Sequence, residues 1–230
     1  MCSSDLNGAI NRGGSVLVPV FALGRMQEIL AVLHDAKRFN RLHDLPIYAS
    51  GLGMDLCNYF DDIAKKTGQV HFTRTILKDL KVKKTPGDLK PGKEPPQGLY
   101  IVSSGMVVEN TPSYTLASCL AGHARNAICF VGYCDPETPG GELLATPHGH
   151  DFLFDAVNVK TKVRCQIERF HLSGHANREE LLDFAVRCQP RSLVLYHGDP
   201  PAREWFAGQF SALLPKTKVF NPVPLQTFTA

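Results

Sequence analysis

A repeating pattern of strand, small-residue turn and helix constrains the fold of this chain more than any other feature. The first repeat combines the apolar run 15–20, the turn 21–25 and a helix predicted over 26–36. Three further apolar runs of strand length follow at 46–49, 99–102 and 127–131. Short valine- and isoleucine-rich runs are typical of strands that are buried on both faces. The alternation with helices therefore predicts an α/β fold around a parallel sheet.

The texture changes after Gly141, and we place a domain boundary near residue 150. Runs 153–159 and 163–167 predict two antiparallel strands joined by a turn near Lys160. Asn177, with Glu180 three residues later, predicts a capped helix that ends at about Cys188. The remaining predicted elements are a buried strand over 192–196, a helix over 202–214 and closing strands over 218–220 and 225–228.

Composition excludes several classes of protein. The chain has 43% hydrophobic and 20% charged residues and a net charge of +3, which excludes a disordered chain. No apolar stretch approaches the roughly 20 residues that cross a bilayer, so no membrane partner is expected. The N-terminus lacks the charged-then-apolar layout of an export signal. The seven cysteines are odd in number and show no C-x-x-C spacing, so we expect reduced core thiols and a cytoplasmic location.

Small or hydroxyl residues follow three of the predicted strands, in the segments 21–25, 50–51 and 103–105. In open parallel sheets, ligands bind beyond the carboxyl ends of the strands. Exposed N–H groups at a following helix N-terminus, together with Arg25, would form an anion pocket there. Tight turns made by the glycines explain the same residues. Both interpretations stay open at this point.

Two histidines stand out in the second half of the chain. His175 and His197 each follow a short apolar run and precede a predicted helix, so both should project from one edge of the second domain. Imidazole is a common metal ligand and a common acid–base group. A pair of hydrogen-bonded structural histidines is the alternative, because two histidines do not make a metal site. The segment 148–151 has a metal-like pattern but reads as a polar turn, and the lysine-rich segment 78–93 reads as a surface loop or a weak nucleic-acid contact.

Several of these segments together resemble a known family. Residues 13–28 (GGSVLVPVFALGRMQE) resemble the opening of the β-CASP domain of metallo-β-lactamase-fold nucleases. Segments 48–52 and 103–106 are similar to the next two strand-end loops of that domain. Segments 170–176 and 193–199 resemble the C-terminal stretch that returns to the metallo-β-lactamase domain. The resemblance extends over nearly the whole chain from about residue 9.

The resemblance implies a fold and a role for individual residues. It implies a Rossmann-like parallel-sheet β-CASP domain over 9–150, followed over 151–230 by the C-terminal part of a metallo-β-lactamase αββα domain with RNA specificity. The implied roles are a general acid or orienting group near the scissile phosphate for His175, a zinc ligand for His197, and phosphate contacts for Ser104, His171 and Ser173. RNA is the implied substrate and two zinc ions are the implied cofactor. A homo-oligomer is compatible with the sequence.

One departure from the family pattern limits these expectations. Family enzymes bind two zinc ions through an H-x-H-x-D-H run, which this sequence lacks, and Asp5 is a poor substitute for the acidic residue expected before the first strand. The chain therefore resembles a C-terminal fragment or a form that has lost its metal centre. We expect a zinc-dependent ribonuclease when complete and an inactive protein from these 230 residues alone. The alternative is a non-catalytic RNA-binding or scaffolding paralogue, which the retained His175 and His197 argue against.

Overall fold

The computed structural model of the chain describes residues 3–68, 72–170, 172, 174–223 and 225–227. It divides into two compact units, Met1–Leu172 and Ser173–Ala230. This division lies beyond the predicted domain boundary near residue 150, because the strand Gln166–Arg169 pairs with the main sheet of the first unit. Compact units and evolutionary domains are different things, and the ranges 9–150 and 151–230 stay a prediction.

The first unit alternates strands and helices along most of its length. Its elements are α1 (Ser3–Asn11), β1 (Val16–Pro19), α2 (Arg25–Arg38), β2 (Ile47–Ser50), α3 (Leu52–Thr67), α4 (Thr75–Asp79), β3 (Lys83–Lys84), β4 (Leu99–Val102), α5 (Pro112–Leu120), β5 (Ala127–Phe130), α6 (Pro139–Ala145), β6 (Asp151–Phe154), a 3₁₀ turn (Asp155–Val157), β7 (Val159–Lys162) and β8 (Gln166–Arg169). The predicted strands and helices of the βαβ repeats are all present, with ends within two residues of those expected.

Six strands form one sheet in the order β3-β2-β4-β1-β5-β8. Every neighbouring pair is parallel, which confirms the predicted parallel sheet. All residues of β1, β4 and β5 are buried. Burial on both faces is what the continuous apolar runs require, because parallel sheets are stable when helices cover both sides.

The sheet separates two hydrophobic cores. One core packs α1 to α4 against the sheet, with Leu30 and Ile101 among its fully buried residues. The other core packs α5 and the β6–β7 hairpin, where the ring of Tyr114 meets that of Phe154 edge to face at 5.5 Å. Each fully buried large apolar side chain contributes roughly 1.5–3 kcal/mol, so the two cores dominate the stability of this unit.

The predicted hairpin of strands 153–159 and 163–167 is wrong in its register. The antiparallel pair is β6 with β7, and the turn falls at residues 155–158, where Asn158 adopts a left-handed conformation. Phe152 and Phe154 alternate into the core, and this alternation sets the register. The segment 166–169 leaves the hairpin and joins β5 in parallel as the last strand of the main sheet.

The second unit is smaller. It contains α7 (Arg178–Cys188), β9 (Ser192–Val194), α8 (Pro200–Leu213) and β10 (Lys218–Phe220). Strands β9 and β10 pair in parallel, and the buried core of the unit consists of Ala185, Phe210 and Leu214. The predicted closing strand over 225–228 is absent from residues 225–227, while Phe228 lies outside the described residues.

Two further sequence expectations can be compared with the structure. Among the residues with a described position, every helix is too short or too polar to span a bilayer. The described cysteines form no disulfide, and all of them are buried except Cys188. Burial raises the pKa of the Cys165 thiol to about 12. Buried, protonated thiols are chemically inert, as expected of core cysteines.

Asn126 offers a test of this architecture. Its side chain is 1% exposed and accepts a hydrogen bond from the Ser15 N–H at 2.8 Å, which joins the start of β1 to the start of β5. We expect Asn126→Ala to lower the free energy of unfolding by about 1–3 kcal/mol, because the Ser15 N–H would be left buried without an acceptor. Urea denaturation measures the difference.

The control is Asn58→Ala, which removes the same side chain from an exposed position on α3. We expect this change to alter the unfolding free energy by less than about 0.5 kcal/mol. Equal effects of the two substitutions would contradict the structural role of Asn126.

Candidate functional site

The structure brings the three small-residue loops together at the carboxyl edge of the main sheet. Strand β4 lies between β2 and β1, so the segment 103–105 lies between the segments 50–51 and 21–25. A methyl group added to Gly51 would lie 3.6 Å from the Ser103 Oγ, and one added to Gly105 would lie 3.0 Å from the Phe21 nitrogen. Glycine is therefore needed at Gly105 for the first and third loops to approach each other.

The amide groups of the first loop are already engaged. The N–H of Gly24 donates to the Gln27 Oε1 at 2.8 Å, that of Arg25 to the Leu23 oxygen at 3.0 Å, and that of Met26 to the Phe21 oxygen at 3.1 Å. An anion at this helix start would have to compete with these internal acceptors. The expectation that exposed N–H groups make an anion pocket here does not hold.

The arginine of this loop is also occupied. The Arg25 guanidinium pairs with the carboxylate of Glu28 on the first turn of α2, and its side chain is only 14% exposed. A methyl group added to Gly132, just after β5, would lie 4.0 Å from the Arg25 Nε. Arg25 therefore belongs to the carboxyl edge as predicted, but its charge is balanced within the chain.

Gln27 joins the first loop to α3. Its side chain is 1% exposed, accepts the Gly24 N–H through Oε1, and donates through Nε2 to the Gly53 oxygen at 2.7 Å. A side chain on Gly53 would clash with the Met26 sulfur, since an added methyl would lie 2.4 Å from it. One buried amide and one glycine thus hold two of the three loops in a fixed relation.

Ser104 lies half-buried in the third loop. Its Oγ accepts a hydrogen bond from the Val108 N–H at 2.9 Å. The acceptor side of the hydroxyl is used to close the loop, while its hydrogen remains available for donation to a phosphate oxygen. The phosphate contact itself stays a prediction. His171 and Ser173, for which the same role is predicted, lie outside the described residues.

His175 is exposed and lies two residues before the cap of α7. The cap is the predicted box: Asn177 Oδ1 accepts the Glu180 N–H at 2.9 Å, and Glu180 Oε2 accepts the Asn177 N–H at 2.7 Å. The expectation that His175 ends a strand is wrong, because β8 ends at Arg169. The rigid start of α7 rather than a sheet therefore anchors the chain next to His175.

His197 lies in the loop between β9 and α8. Its backbone is left-handed, with φ of 58°, and its ring centroid is 6.2 Å from that of Tyr196. Both residues line a cavity of ≈ 460 Å³. The complete lining is Tyr196, His197, Gly198, Arg203, Pro222, Val223, Leu225 and Gln226. A non-glycine residue in this conformation is uncommon and needs support from its surroundings.

Arg203 supplies that support. Its Nε donates to the Gly198 oxygen at 2.9 Å, and its Nη1 donates to the Pro222 oxygen at 3.0 Å. The same nitrogen donates to the Asn221 Oδ1 at 3.0 Å. The guanidinium therefore ties the loop that carries His197 to the segment after β10, and the prediction that His197 faces an open site is compatible with its exposure.

Zinc does not fit the side chains whose positions are known. Among the residues that the structure describes, no group of three His, Cys, Asp or Glu side chains could hold a metal ion. A catalytic zinc normally has about three protein ligands. His197 could supply one of them, so we derive no zinc-dependent step from this chain alone. The assignments of His175 and His197 stay predictions.

The capping box beside His175 yields a test that needs no substrate. We expect Asn177→Ala to lower the stability of α7 by about 1 kcal/mol, because the Glu180 N–H loses its acceptor. Amide hydrogen exchange in the first turn of α7 reports this local change, and Asn177→Asp should restore protection. Unchanged exchange in the Asn177→Ala protein would contradict the proposed anchoring of this segment.

Comparisons with known proteins agree with the geometry. The model of the Beta-Casp domain matches residues 26–143, and the model of the Zn-dependent metallo-hydrolase RNA specificity domain matches residues 160–222. The second match includes both His175 and His197. The division between the two matches lies between residues 143 and 160.

Individual relatives are similar over most of this chain but are much longer. They include the transcription termination factor FttA of Pyrococcus abyssi, 30% identical over 85% of this chain and 32% of its own length. An Integrator complex subunit 11 homolog of Dictyostelium discoideum is 28% identical over 84% of this chain and 27% of its own length. Endoribonuclease YSH1 of Candida glabrata is 27% identical over 85% of this chain and 26% of its own length.

The chain thus spans about a third or less of the curated relatives that it matches. The Beta-Casp match alone takes in just over half of the chain, and it coincides with the parallel sheet and the helices that cover it. This chain therefore belongs to the β-CASP family of metallo-β-lactamase-fold nucleases.

Proposed function

We propose that this chain supplies the β-CASP and RNA-specificity parts of a zinc-dependent ribonuclease. The observation that carries the proposal is the placement of the two motif histidines. Each stands two residues before the cap of a helix of the second unit, His175 before α7 and His197 before α8, and both are exposed. Histidines presented in this way are available to a ligand, unlike histidines packed in a core.

The chemistry follows from what a phosphodiester requires. Its anionic oxygens repel a nucleophile, and its leaving oxygen needs a proton. In the complete enzyme, zinc would supply an activated hydroxide and stabilise the developing charge. His175, as an exposed imidazole, would protonate the leaving oxygen, and the Ser104 hydroxyl would donate to a phosphate oxygen. His197 would contribute one metal ligand, and further ligands would have to come from another polypeptide segment.

A non-catalytic role in RNA binding or scaffolding is the second candidate. It is favoured by the lack of a three-ligand metal group among the described residues and of an H-x-H-x-D-H run in the sequence. One relative is named as a subunit of a complex, which would suit a scaffold as well as an enzyme. The two candidates differ in whether a metal and RNA cleavage accompany the full gene product.

The test compares the 230-residue chain with the full product of its gene in cleavage of a labelled single-stranded RNA. We expect no cleavage by the chain alone and zinc-dependent cleavage by the full product. In the full product, His175→Ala should lower turnover by about 10²–10⁴-fold with zinc content retained, as expected for loss of a general acid. His197→Ala should lower both zinc content and turnover.

His150→Ala is the control, because His150 is exposed in a turn of the first unit and resembles a metal motif only by sequence. This variant should keep full zinc content and full turnover. A His197→Ala protein with full zinc content would contradict the ligand assignment. Unchanged turnover of His175→Ala would contradict the acid role, and a full product without zinc or cleavage would favour the scaffold.

A further inference from the structure

A second cavity opens at the outer margin of the same sheet edge. Its volume is ≈ 460 Å³, and it lies where β2 ends and the edge strand β3 runs alongside. The lining residues are Ala49, Ser50, Gly51, Leu52, Met54, Asp55, Val82, Lys83 and Lys84. The cavity thus combines a polar floor, an apolar wall and two cations.

The two lysines give this cavity a positive charge. Lys83 pairs in register with Tyr48 and Lys84 with Ala49, so both lie level with the last residues of β2. Both are exposed, and neither forms an ion pair with any residue of described position. Asp55 on the opposite wall is a single carboxylate, so the lining keeps one positive charge in excess.

The cavity is continuous with the loop that carries Ser104. Strand β4 neighbours β2, and a methyl group on Gly51 in the cavity wall would lie 3.6 Å from the Ser103 Oγ. A polyanion that contacts Ser104 would therefore meet the lysines after crossing the single strand β2. Successive anionic groups along one edge suit a nucleic-acid backbone better than an isolated anion.

The apolar wall adds a second kind of contact. Leu52, which is 63% exposed, and the half-buried Met54 and Val82 line the cavity beside the lysines. Unstacked bases of a single strand bury their faces on such side chains, whereas bases of a duplex are stacked on each other. We propose that this lysine cavity binds phosphate groups of single-stranded RNA next to Ser104, an inference that rests on the proposed function.

Another explanation exists for lysines at this position. Edge strands often carry lysine because a charge prevents pairing with another sheet, and β3 is an edge strand of only two residues. Charge reversal separates the two explanations. Glutamate would keep a charge on the edge, but it would repel phosphate.

The experiment measures binding of a short fluorescent oligouridylate to the 230-residue chain by anisotropy at several salt concentrations. We expect the double variant Lys83→Glu, Lys84→Glu to bind at least about tenfold more weakly near 0.1 M salt. The slope of log affinity against log salt should fall in magnitude by about 1.4, from about 0.7 for each lost phosphate contact. Asp55→Asn should bind about two- to threefold more tightly, because it removes the carboxylate facing the site.

The matched control is Lys90→Glu, Lys93→Glu. Both lysines are exposed in the same polar segment, and the neighbouring Glu94 pairs with Arg125 just before β5, which places them toward the amino edge of the sheet. This variant changes net charge by the same amount, so it should weaken binding by less than about threefold. Lys83→Gln, Lys84→Gln repeats the test without charge reversal if the glutamate variant unfolds at a lower temperature than the parent chain.

The outcomes are distinct. Equal weakening by the two double variants would show only a long-range charge effect and would overturn the lysine cavity as a site. Wild-type binding that neither double variant alters would overturn the site while leaving the proposed function intact. A wild-type chain that does not bind the RNA at low salt would overturn the proposed function as well.

Discussion

Two-sided burial of the central parallel strands is the constraint on which the rest of the structure depends. Strands β1, β4 and β5 expose none of their residues, so helices must cover both faces of the sheet. Parallel strands then require crossover connections, and every crossover returns the chain to the same edge. The loops that follow β1, β2 and β4 consequently meet, although they lie about 30 and 50 residues apart along the chain.

Periodicity carried much of this architecture, and its limits have physical causes. The strands of the main sheet follow from short apolar runs, and the α7 cap follows from Asn177 and Glu180. The helix α1 was not predicted because its stability comes from tertiary packing, with Leu6 and Ala9 buried against the sheet, rather than from a local signal. The edge strand β3 was taken as loop because it has only two residues, both lysine.

The site shows the same division. The meeting of three loops could be predicted from strand order, but the use of their hydrogen-bond donors could not. Whether the Gly24 N–H faces solvent or Gln27 depends on a side chain that the pattern treats as an ordinary helix residue. In the same way, Arg203 gave no sequence signal, since its bonds to Gly198 and Pro222 depend on how the chain ends fold back. Catalytic zinc chemistry stays with the family, because the described side chains hold no three-ligand group.

The buried side chain of Gln27 has a mechanical consequence. Its carboxamide uses its oxygen toward the Gly24 N–H and its nitrogen toward the Gly53 carbonyl, so neither end can rotate without breaking a bond. A force applied to the turn after β1 is therefore passed on to the beginning of α3 instead of being absorbed by loop bending. Two surfaces that look like separate flexible loops behave as one stiff plate, and a ligand that pushes on one of them displaces the other.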